Sequence, residues 1–423
     1  MLTARHLFRA SLLLSTILLH GSASAQDPKP SLIDDPTVDV VQMGFASRVA
    51  PDQVARLEEV LERYRGVQSR GGWGRISPEM VMGPGFSYDC RHIAAVEKRL
   101  IAEGYLRKSS VRPPAPPPPV EPPSRWTKAP PPAPKPPPPR CLYDDALTEA
   151  MRNFQADRKV LGFGQLGGKT VTQLNRPVEE IVEILEQDLG RWRSRNLRFP
   201  ATYLLVNIPF FEVNVFENNR EEMRIRAIVG QTVTQTPQFS DEIEYIIVNP
   251  DWGIPESIAK NEMRPAARRD PNYYRWQGIT DTGGSLRQKP GPRNPLGRIK
   301  FVFPNENDVY MHDTPEKRAF AAAVRSLSHG CVRLSRPMDM ANYLLRDEPS
   351  WDRRRLQKAV ESGKTTQINL KRHMPVYIVY STTRVNEDGR LEIRPDIYRK
   401  NRRATPQEAE VPRAGNESFY TGP

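Results

Sequence analysis

The amino-acid sequence predicts an α+β protein in which a helical part precedes a strand-rich domain. Apolar residues recur every three or four positions in 53–65 ("QVARLEEVLERYR"), 93–106 and 143–175, a spacing typical of amphipathic helices. After about residue 200, runs such as "TYLLVNIPFFEVNVFE" and "PVYIVYSTT" are rich in β-branched and aromatic residues, which is typical of strands. The chain is 423 residues long, which is enough for two or three domains.

The first 25 residues have the pattern of a cleavable secretory signal peptide. Arg5 and Arg9 give a basic start, Leu12 to Leu19 form a short apolar run, and Ala23 to Ala25 supply a small-residue cleavage site. An uncleaved membrane anchor is the alternative, but the apolar run is short for a bilayer. No later stretch approaches ~20 apolar residues, so we expect no transmembrane segment after signal removal. We expect the exported protein to reside in an oxidising compartment.

The cysteines of an exported protein tend to form pairs, and three remain here. Cys90 and Cys141 bracket a proline-rich stretch, 113–139, which we expect to be an extended spacer or disordered loop because repeated proline supports neither a helix nor an internal strand. We therefore expect a Cys90–Cys141 disulfide and a free Cys331; the alternative is that Cys331 pairs with one of the others. On the chain-entropy model, closing a loop of about fifty residues contributes roughly 3–4.5 kcal/mol.

The charge balance favours an anionic partner. Lysine and arginine exceed aspartate and glutamate by 12. For an exported protein, an anionic wall polymer or acidic peptide fits this charge better than nucleic acid, and the chain has no long basic run with interleaved aromatic residues. It also has no HExxH motif and no paired CxxC motifs, so we expect no metal site and no cofactor.

The helical part has three predicted sections: an N-terminal helical segment (26–80), a small domain (81–176) and a connecting helix (177–199). In the small domain, "VEKRLIAEGYL", "AMRNFQ" and "GGKTVTQLN" resemble the parts of a three-helix peptidoglycan-binding domain, here split by the proline-rich stretch. The resemblance implies wall binding. A domain kept only for packing is the alternative.

The strand-rich domain is expected to span 200–398. Within it, 255–298 is poor in strands and carries nine Lys or Arg against four Asp or Glu, together with Tyr273, Tyr274 and Trp276. We expect this segment to form a lid subdomain over substrate, with a solvated basic loop as the alternative. The polar tail, 399–423, is expected to be disordered.

The candidate site centres on Cys331 in "YMHDTPEKRAFAAAVRSLSHGCVRL". This run predicts a strand ending at His312, a helix over 316–325 and a tight loop that presents Cys331, an arrangement that can bring His312 beside the thiol. A neighbouring imidazole that takes the thiol proton activates cysteine as a nucleophile. Gly330 permits close approach of the backbone, so the amides of Gly330 and Cys331 are oxyanion-hole candidates. A loop with an inert buried thiol is the alternative.

The segment "HDTPEKRAFAAAVRSLSHGCVRL" resembles the signature of the L,D-transpeptidase (YkuD-type) catalytic domain, a histidine followed after about fifteen residues by Ser/Thr-His-Gly-Cys. The resemblance continues through "NPDWGIP", "NPLGRIKFVFPN" and the stretch up to 398. It implies that Cys331 is the acyl-accepting nucleophile, that His312 is its general base, and that Gly330 contributes to the oxyanion hole.

The same resemblance implies a substrate-binding role for four further residues. Tyr310 would line the acyl pocket, while Ser328 and His329 would shape the loop. Arg333 would either meet a substrate carboxylate or serve only the structure; the sequence leaves both open.

The resemblance as a whole is to the large periplasmic subtype of this family. It implies transfer between peptidoglycan stem peptides to form 3→3 cross-links, with stem peptides and glycan as partners and the periplasm as location. Water as acceptor, giving a carboxypeptidase or cross-link hydrolase, is the first alternative, and an inactive wall-binding protein is the second. We expect a monomer.

Overall fold

The computed structural model of the protein describes residues 53–107 and 138–401. The predicted signal peptide (1–25), nearly all of the proline-rich stretch (113–139) and most of the tail (399–423) lie outside these ranges. Within them, no helix combines the length and the apolar character needed to cross a membrane.

The described residues contain both helices and a large sheet, which confirms the predicted α+β class. The helices are α1 (Gln53–Ser69), α2 (Cys90–Ala102), α3 (Asp145–Asp157), α4 (Gly168–Leu174), α5 (Val178–Arg195), α6 (Glu256–Ile258), α7 (Arg264–Arg269), α8 (Tyr273–Gln277), α9 (Pro337–Leu344) and α10 (Arg353–Glu361). The strands are β1 (Ser87–Asp89), β2 (Arg140–Leu142), β3 (Thr202–Asn207), β4 (Glu212–Glu217), β5 (Arg220–Gly230), β6 (Ser240–Val248), β7 (Trp252–Gly253), β8 (Ile279–Thr282), β9 (Ser285–Gln288), β10 (Ile299–Val302), β11 (Met311–His312), β12 (Ser326–Ser328), β13 (Val332–Leu334), β14 (Thr366–Val379), β15 (Thr383–Val385) and β16 (Leu391–Ile393).

Helices α2, α3 and α4 form a small domain around their own buried core, which includes Val96, Leu100, Met151, Phe154 and Leu174. Side-chain caps begin the first two of these helices: Asp89 accepts from the Arg91 amide, and Asp144 accepts from the Leu147 amide. Strands β1 and β2 pair antiparallel, and a Cys90–Cys141 disulfide joins the same two chain segments. On one side these connections lie at the start of α2, and on the other side they lie where the chain returns from the proline-rich stretch, so they hold the halves of the domain together.

Helices α1 and α5, which lie in the predicted N-terminal segment and connecting helix, pack against the strand-rich domain. They pack against each other and bury apolar side chains such as Leu57 and Leu185 in one cluster with Tyr203, Phe216 and Leu391 of the strand-rich domain. The physical reason is that β3 is buried on both faces, so its outward side chains require a cover.

The large sheet closes on itself. Its strand order is β12-β5-β13-β11-β10-β6-β14-β3-β4, and β5 also pairs with β4. The main core lies on the inner face of this ring, where Val206, Val213 and Ile246 meet side chains of α9 and α10 such as Leu344 and Leu356. Strands β10, β11 and β13 are neighbours in the ring, and the carboxyl ends of β11 and β12 flank the candidate site.

The predicted lid is an ordered subdomain. Residues 255–298 contain α6, a π-helical turn (Ala259–Met263), α7, α8 and a hairpin of β8 and β9, whose second strand pairs with β7. Trp252, Ile258, Met263, Ile279 and Leu286 give the subdomain a small core of its own. The basic residues of 255–298 therefore sit on a folded unit, in contrast to the solvated-loop alternative.

The helix predicted over 316–325 does not form. The structure has a short 3₁₀ helix, Lys317–Ala321, followed by extended backbone. The Arg325 carbonyl accepts from the Val229 amide at 2.9 Å, and the Arg325 guanidinium donates to the Ala227 carbonyl at 3.1 Å. Pairing with β5 thus overrides the helix propensity of the alanine-rich run.

Candidate active site

Cys331 lies in a cleft of about 560 Å³ between the large sheet and the lid. The lid contributes Pro255, Ser257, Ile258 and Glu262, and the sheet and its loops contribute the other walls. Every predicted site residue except Gly330 lines this cleft: Tyr310, His312, Ser328, His329, Cys331 and Arg333. The lining set also includes three side chains that the sequence did not single out: Trp252, Lys300 and Asp308.

Strand register places His312 between two cations. Lys300 on β10 pairs with His312 on β11, and His312 pairs in turn with Arg333 on β13. Directly paired residues project from the same face of a sheet, so these three side chains form one row. Their neighbours Phe301 and Met311 point to the opposite face and are fully buried in the main core.

The loop that carries Cys331 is held by hydrogen bonds within the loop and by one from the segment between β5 and β6. Ser328 Oγ accepts from the Gly330 amide at 3.2 Å and donates to the Cys331 carbonyl at 2.6 Å. Thr236 Oγ1 donates to the Gly330 carbonyl at 2.7 Å. Gly330 has φ +122°, which is open to glycine and strained for other residues. The turn therefore depends on glycine and on hydrogen bonds that hold the thiol in place.

Ser328 is 1% exposed, and both hydrogen bonds of its hydroxyl lie inside the loop. The Gly330 amide donates to Ser328, whereas the Cys331 amide has no acceptor among the described residues. A role of Ser328 in substrate binding and a role of the two amides in an oxyanion hole stay predictions.

Cys331 is half-buried and is a free thiol. Its Sγ lies 3.9 Å from the Asp308 carbonyl, within reach of a weak S–H hydrogen bond. Burial raises the pKa of the thiol, whereas contacts from the main chain and hydroxyl of Tyr310 and the charges of Lys300 and Arg333 act to lower it. Tyr310 lines the same cleft as the thiol, and its role in the acyl pocket stays a prediction.

Tyr310 lines the cleft together with Trp252 and Cys331. Burial, followed by the charge of Cys331, raises the pKa of Tyr310, so the hydroxyl keeps its proton.

His312 is buried and neutral. Burial lowers its pKa to about 3, and the charges of Arg333 and Lys300 contribute to this, although the Asp313 and Leu296 carbonyls oppose it. Its Nδ1 lies 2.5 Å from the Asp313 carbonyl. The ring makes no hydrogen bond to Cys331 in this structure. His312 and Cys331 therefore line the same cleft from neighbouring chain segments, but no hydrogen bond joins the imidazole to the thiol.

Asp313 supports this arrangement through its carboxylate as well as its carbonyl. One carboxylate oxygen accepts from the Arg298 amide at 2.8 Å and the other pairs with Lys317 at 2.7 Å. Gly297 packs so closely on this carboxylate that a Cβ there would lie 2.4 Å from Oδ2. The carboxylate thus fixes the turn before β10.

His329 faces the lid. Its Nε2 lies 2.8 Å from the Glu262 carboxylate in the π-helical turn, and both side chains are about a third exposed, at 39% and 34%. The cysteine loop and the lid are therefore in direct contact through a polar pair that lines the cleft.

Acidification is expected to destabilise the fold through His312. Its pKa is about 3 when folded against ~6.5 when unfolded, so between these values only the unfolded chain binds the proton. The stabilisation is complete above pH 6.5 and is lost as pH falls, reaching a loss of about 2 kcal/mol at pH 5. Thermal unfolding at pH 7 and pH 5 should show a smaller fall in Tm for His312→Gln than for the parent.

The matched control is His373→Gln, because His373 is 45% exposed and lies outside the cleft. It should reproduce the fall in Tm of the parent. An equal fall in His312→Gln and the parent would contradict the assignment of a buried neutral imidazole.

Sequence reasoning missed Trp252, Lys300 and Thr236. Lys300 interrupts the apolar strand "IKFVF", and that lone charge in a buried run was the available signal. Trp252 lies in "NPDWGIP", where only the resemblance marked it. Thr236 carried no local signal, because its role depends on contact with a loop almost a hundred residues later.

The fold and cleft define a class of protein with a closed β-sheet, a capping lid, and a free thiol and a buried imidazole in one cleft. Residues 201–378 match the family model of the YkuD L,D-transpeptidase catalytic domain. This part of the chain is a YkuD-type L,D-transpeptidase catalytic domain, which confirms the resemblance seen in the sequence. The split peptidoglycan-binding-like domain remains a prediction.

A curated relative from Haemophilus influenzae is named "Putative L,D-transpeptidase". It is 30% identical over 216 residues, which is 46% of this chain and 44% of that protein. The chain thus spans less than half the length of this relative.

Two similar solved structures are an L,D-transpeptidase from Mycobacterium smegmatis and the catalytic domain of the E. faecium L,D-transpeptidase acylated by ertapenem. The first is 12% identical with a TM-score of 0.24 and covers 42% of this chain and 58% of its own. The second is 9% identical with a TM-score of 0.24 and covers 43% and 100%. These TM-scores are too low to bear on the site.

Proposed function

We propose that the protein is a periplasmic cysteine-dependent L,D-transpeptidase that joins peptidoglycan stem peptides through 3→3 cross-links. The observation that carries this proposal is the free thiol of Cys331 in a lidded cleft, beside a neutral imidazole one strand away. The YkuD-type domain supports the reaction class. The signal-peptide pattern at 1–25 supports export.

In the proposed first step, Cys331 loses its proton and its sulfur attacks the carbonyl of the third residue of a tetrapeptide donor. Neutral His312 is the proposed proton acceptor, because its imidazole lines the same cleft as the thiol and is unprotonated at neutral pH. The Cys331 amide would stabilise the oxyanion, and Tyr310 would line the acyl pocket in the same cleft. The C–N bond then breaks, a proton passes to the leaving amine, and D-alanine departs.

In the second step, the side-chain amine of another stem attacks the thioester, loses a proton and restores the thiol. Water in place of this amine gives the carboxypeptidase or hydrolase alternative. The test below distinguishes these two outcomes.

The proposed partners are stem peptides and glycan, and the proposed role of the small helical domain is to hold the enzyme on this polymer. Its three helices and separate core support a folded binding module. A monomer remains our expectation.

The test is incubation of purified protein with disaccharide-tetrapeptide, followed by mass spectrometry. We expect a cross-linked dimer with loss of one D-alanine and a transient thioester on Cys331. Tripeptide alone would indicate hydrolysis, and no change relative to a Cys331→Ala blank would contradict an enzymatic role.

The lid is expected to attract anionic stem peptides. Arg264 is unsuitable as a probe because it pairs with Glu256 and donates to the Gly284 carbonyl. Arg268 and Arg269 are exposed and have no ion-pair partner among the described residues. Reversing both charges (Arg268→Glu, Arg269→Glu) should raise KM several-fold at low ionic strength and little near 1 M salt, where the Debye length is about 3 Å.

The control for this prediction is Arg354→Glu with Arg372→Glu, an equal charge change at exposed positions outside the lid. An unchanged KM and salt dependence in the lid variant, or an equal change in the control, would rule out the lid as a steering surface.

A further inference from the structure

Two cations line the cleft beside Cys331 without a carboxylate partner. Lys300 and Arg333 are both half-buried, and neither makes a hydrogen bond or ion pair with any residue that the structure describes. The Arg333 Nε is buried and has no acceptor within the described chain. Lys300 Nζ lies 3.7 Å from the centre of the Tyr310 ring, and this cation–π contact is the one polar interaction of the ammonium group among the described residues.

Nearby carboxylates do not neutralise these cations. Asp251 and Asp308 act on Lys300 only at longer range, and Asp251 is already paired with Arg287. Glu262, the other acidic lining residue, is paired with His329. Burying unpaired cations in this way costs free energy, so the arrangement points to an anion that arrives with the ligand.

The position of the cations suggests which anion. They stand on either side of His312 in the row β10–β11–β13, with strands ~4.8 Å apart, so about 10 Å separates their backbones. Side chains that converge from this distance over the central strand can both reach one carboxylate. Tyr310, against which Lys300 packs, lines the same cleft as the reactive sulfur.

We propose that Lys300 and Arg333 together bind the C-terminal carboxylate of the donor peptide, one residue beyond the bond that Cys331 attacks. This inference rests on the proposed function and deepens it. It assigns Arg333 to ligand binding rather than structure, and it makes Lys300 a specificity-determining residue. A donor extended by a further residue would place its carboxylate too far from the pair, so the pair selects tetrapeptides.

The test measures binding separately from chemistry. In a Cys331→Ala background no thioester can form, and calorimetry then compares a tetrapeptide stem with the same peptide carrying a C-terminal carboxamide. Other carboxylates of the stem are identical in both, so the ratio of the two Kd values reports the terminal charge alone. We expect the acid to bind about tenfold more tightly, a difference of ~1.4 kcal/mol.

Variants then assign the effect. Lys300→Met and Arg333→Met should each bring the acid-to-amide ratio close to one, Lys300→Arg should retain most of it, and Lys364→Met, an exposed lysine outside the cleft, should leave it unchanged. A merely structural role would weaken both peptides equally and leave the ratio intact.

Three results would overturn the proposal: a ratio near one in the Cys331→Ala protein, no binding of either peptide, or an undiminished ratio in both Met variants. The first does not depend on how the variants fold. Failure of the proposed function is a separate result, since it appears as no loss of D-alanine from the tetrapeptide with the parent enzyme.

Discussion

A variant without residues 26–176 is expected to lose its fold and with it the reactivity of Cys331. The deletion removes α1, which buries Leu57, Val60, Leu61, Tyr64 and Val67 against α5 and the outer face of the sheet. At about 2 kcal/mol for each buried side chain, the loss approaches 10 kcal/mol, which is comparable to the whole stability of a typical protein. Circular dichroism and thermal unfolding of the purified variant measure this loss of folded structure.

A second deletion separates α1 from the small helical domain. The chain passes close to itself at the two ends of that domain: a Cβ on Gly72 would lie 3.3 Å from a Val178 methyl group, and Trp73 Nε1 donates to the Arg176 carbonyl at 2.9 Å. Residues 73–176 can therefore be replaced by a short glycine-serine linker that keeps α1 and α5 in contact.

We expect this second variant to fold and to be acylated at Cys331 by a carbapenem-type β-lactam, as the family resemblance implies, at close to the parental rate. Its binding to purified sacculi should weaken if the domain holds the enzyme on its polymer. A folded, reactive 26–176 deletion would refute the packing role of α1, and an unfolded 73–176 variant would show that the helical domain itself is needed.

Replacement of Glu103 is expected to cost about 3–5 kcal/mol, because it leaves two buried guanidinium groups without their anion. Glu103 is fully buried at the end of α2 and pairs with Arg99 and Arg158, each at 2.7 Å. It also accepts from the Tyr64 hydroxyl of α1 at 2.7 Å. These guanidinium groups outweigh the effect of burial and lower the pKa of Glu103, so it is ionised.

This cluster is where the helical domain meets the catalytic region. Arg158 also donates to the Leu391 carbonyl in β16, while the neighbouring Asp157 pairs with Arg390 at 3.1 Å. Urea unfolding of Glu103→Ala should therefore show a lower midpoint and an earlier transition of the helical domain.

The matched control is Glu186→Ala. Glu186 pairs with Arg65 at 2.8 Å, but both side chains are 47% exposed, so its loss should cost less than ~1 kcal/mol. Equal effects of the two substitutions would mean that the buried cluster contributes no more than a surface ion pair.

Local chemistry made much of this protein readable from sequence. The α+β class follows from apolar spacing, which changes from helical to strand-like near residue 200 because each element buries one face with its own period. The odd number of cysteines singled out Cys331, and the structure has the Cys90–Cys141 disulfide that this count favoured. The His-Gly-Cys signature led to the correct domain family.

Features that depend on pairing between distant segments were decided only by the tertiary structure. The run 316–325 is helical by propensity, yet Arg325 joins β5 and stays extended. The sequence predicted α1 as part of an N-terminal helical segment and α5 as a connecting helix, because a sequence does not show which surface an apolar stripe will cover. Lys300 acquired its place beside His312 from strand register, which is set by the closure of the whole sheet. Residue types and their local periods determine elements and reactive groups, whereas long-range packing determines which of those groups meet.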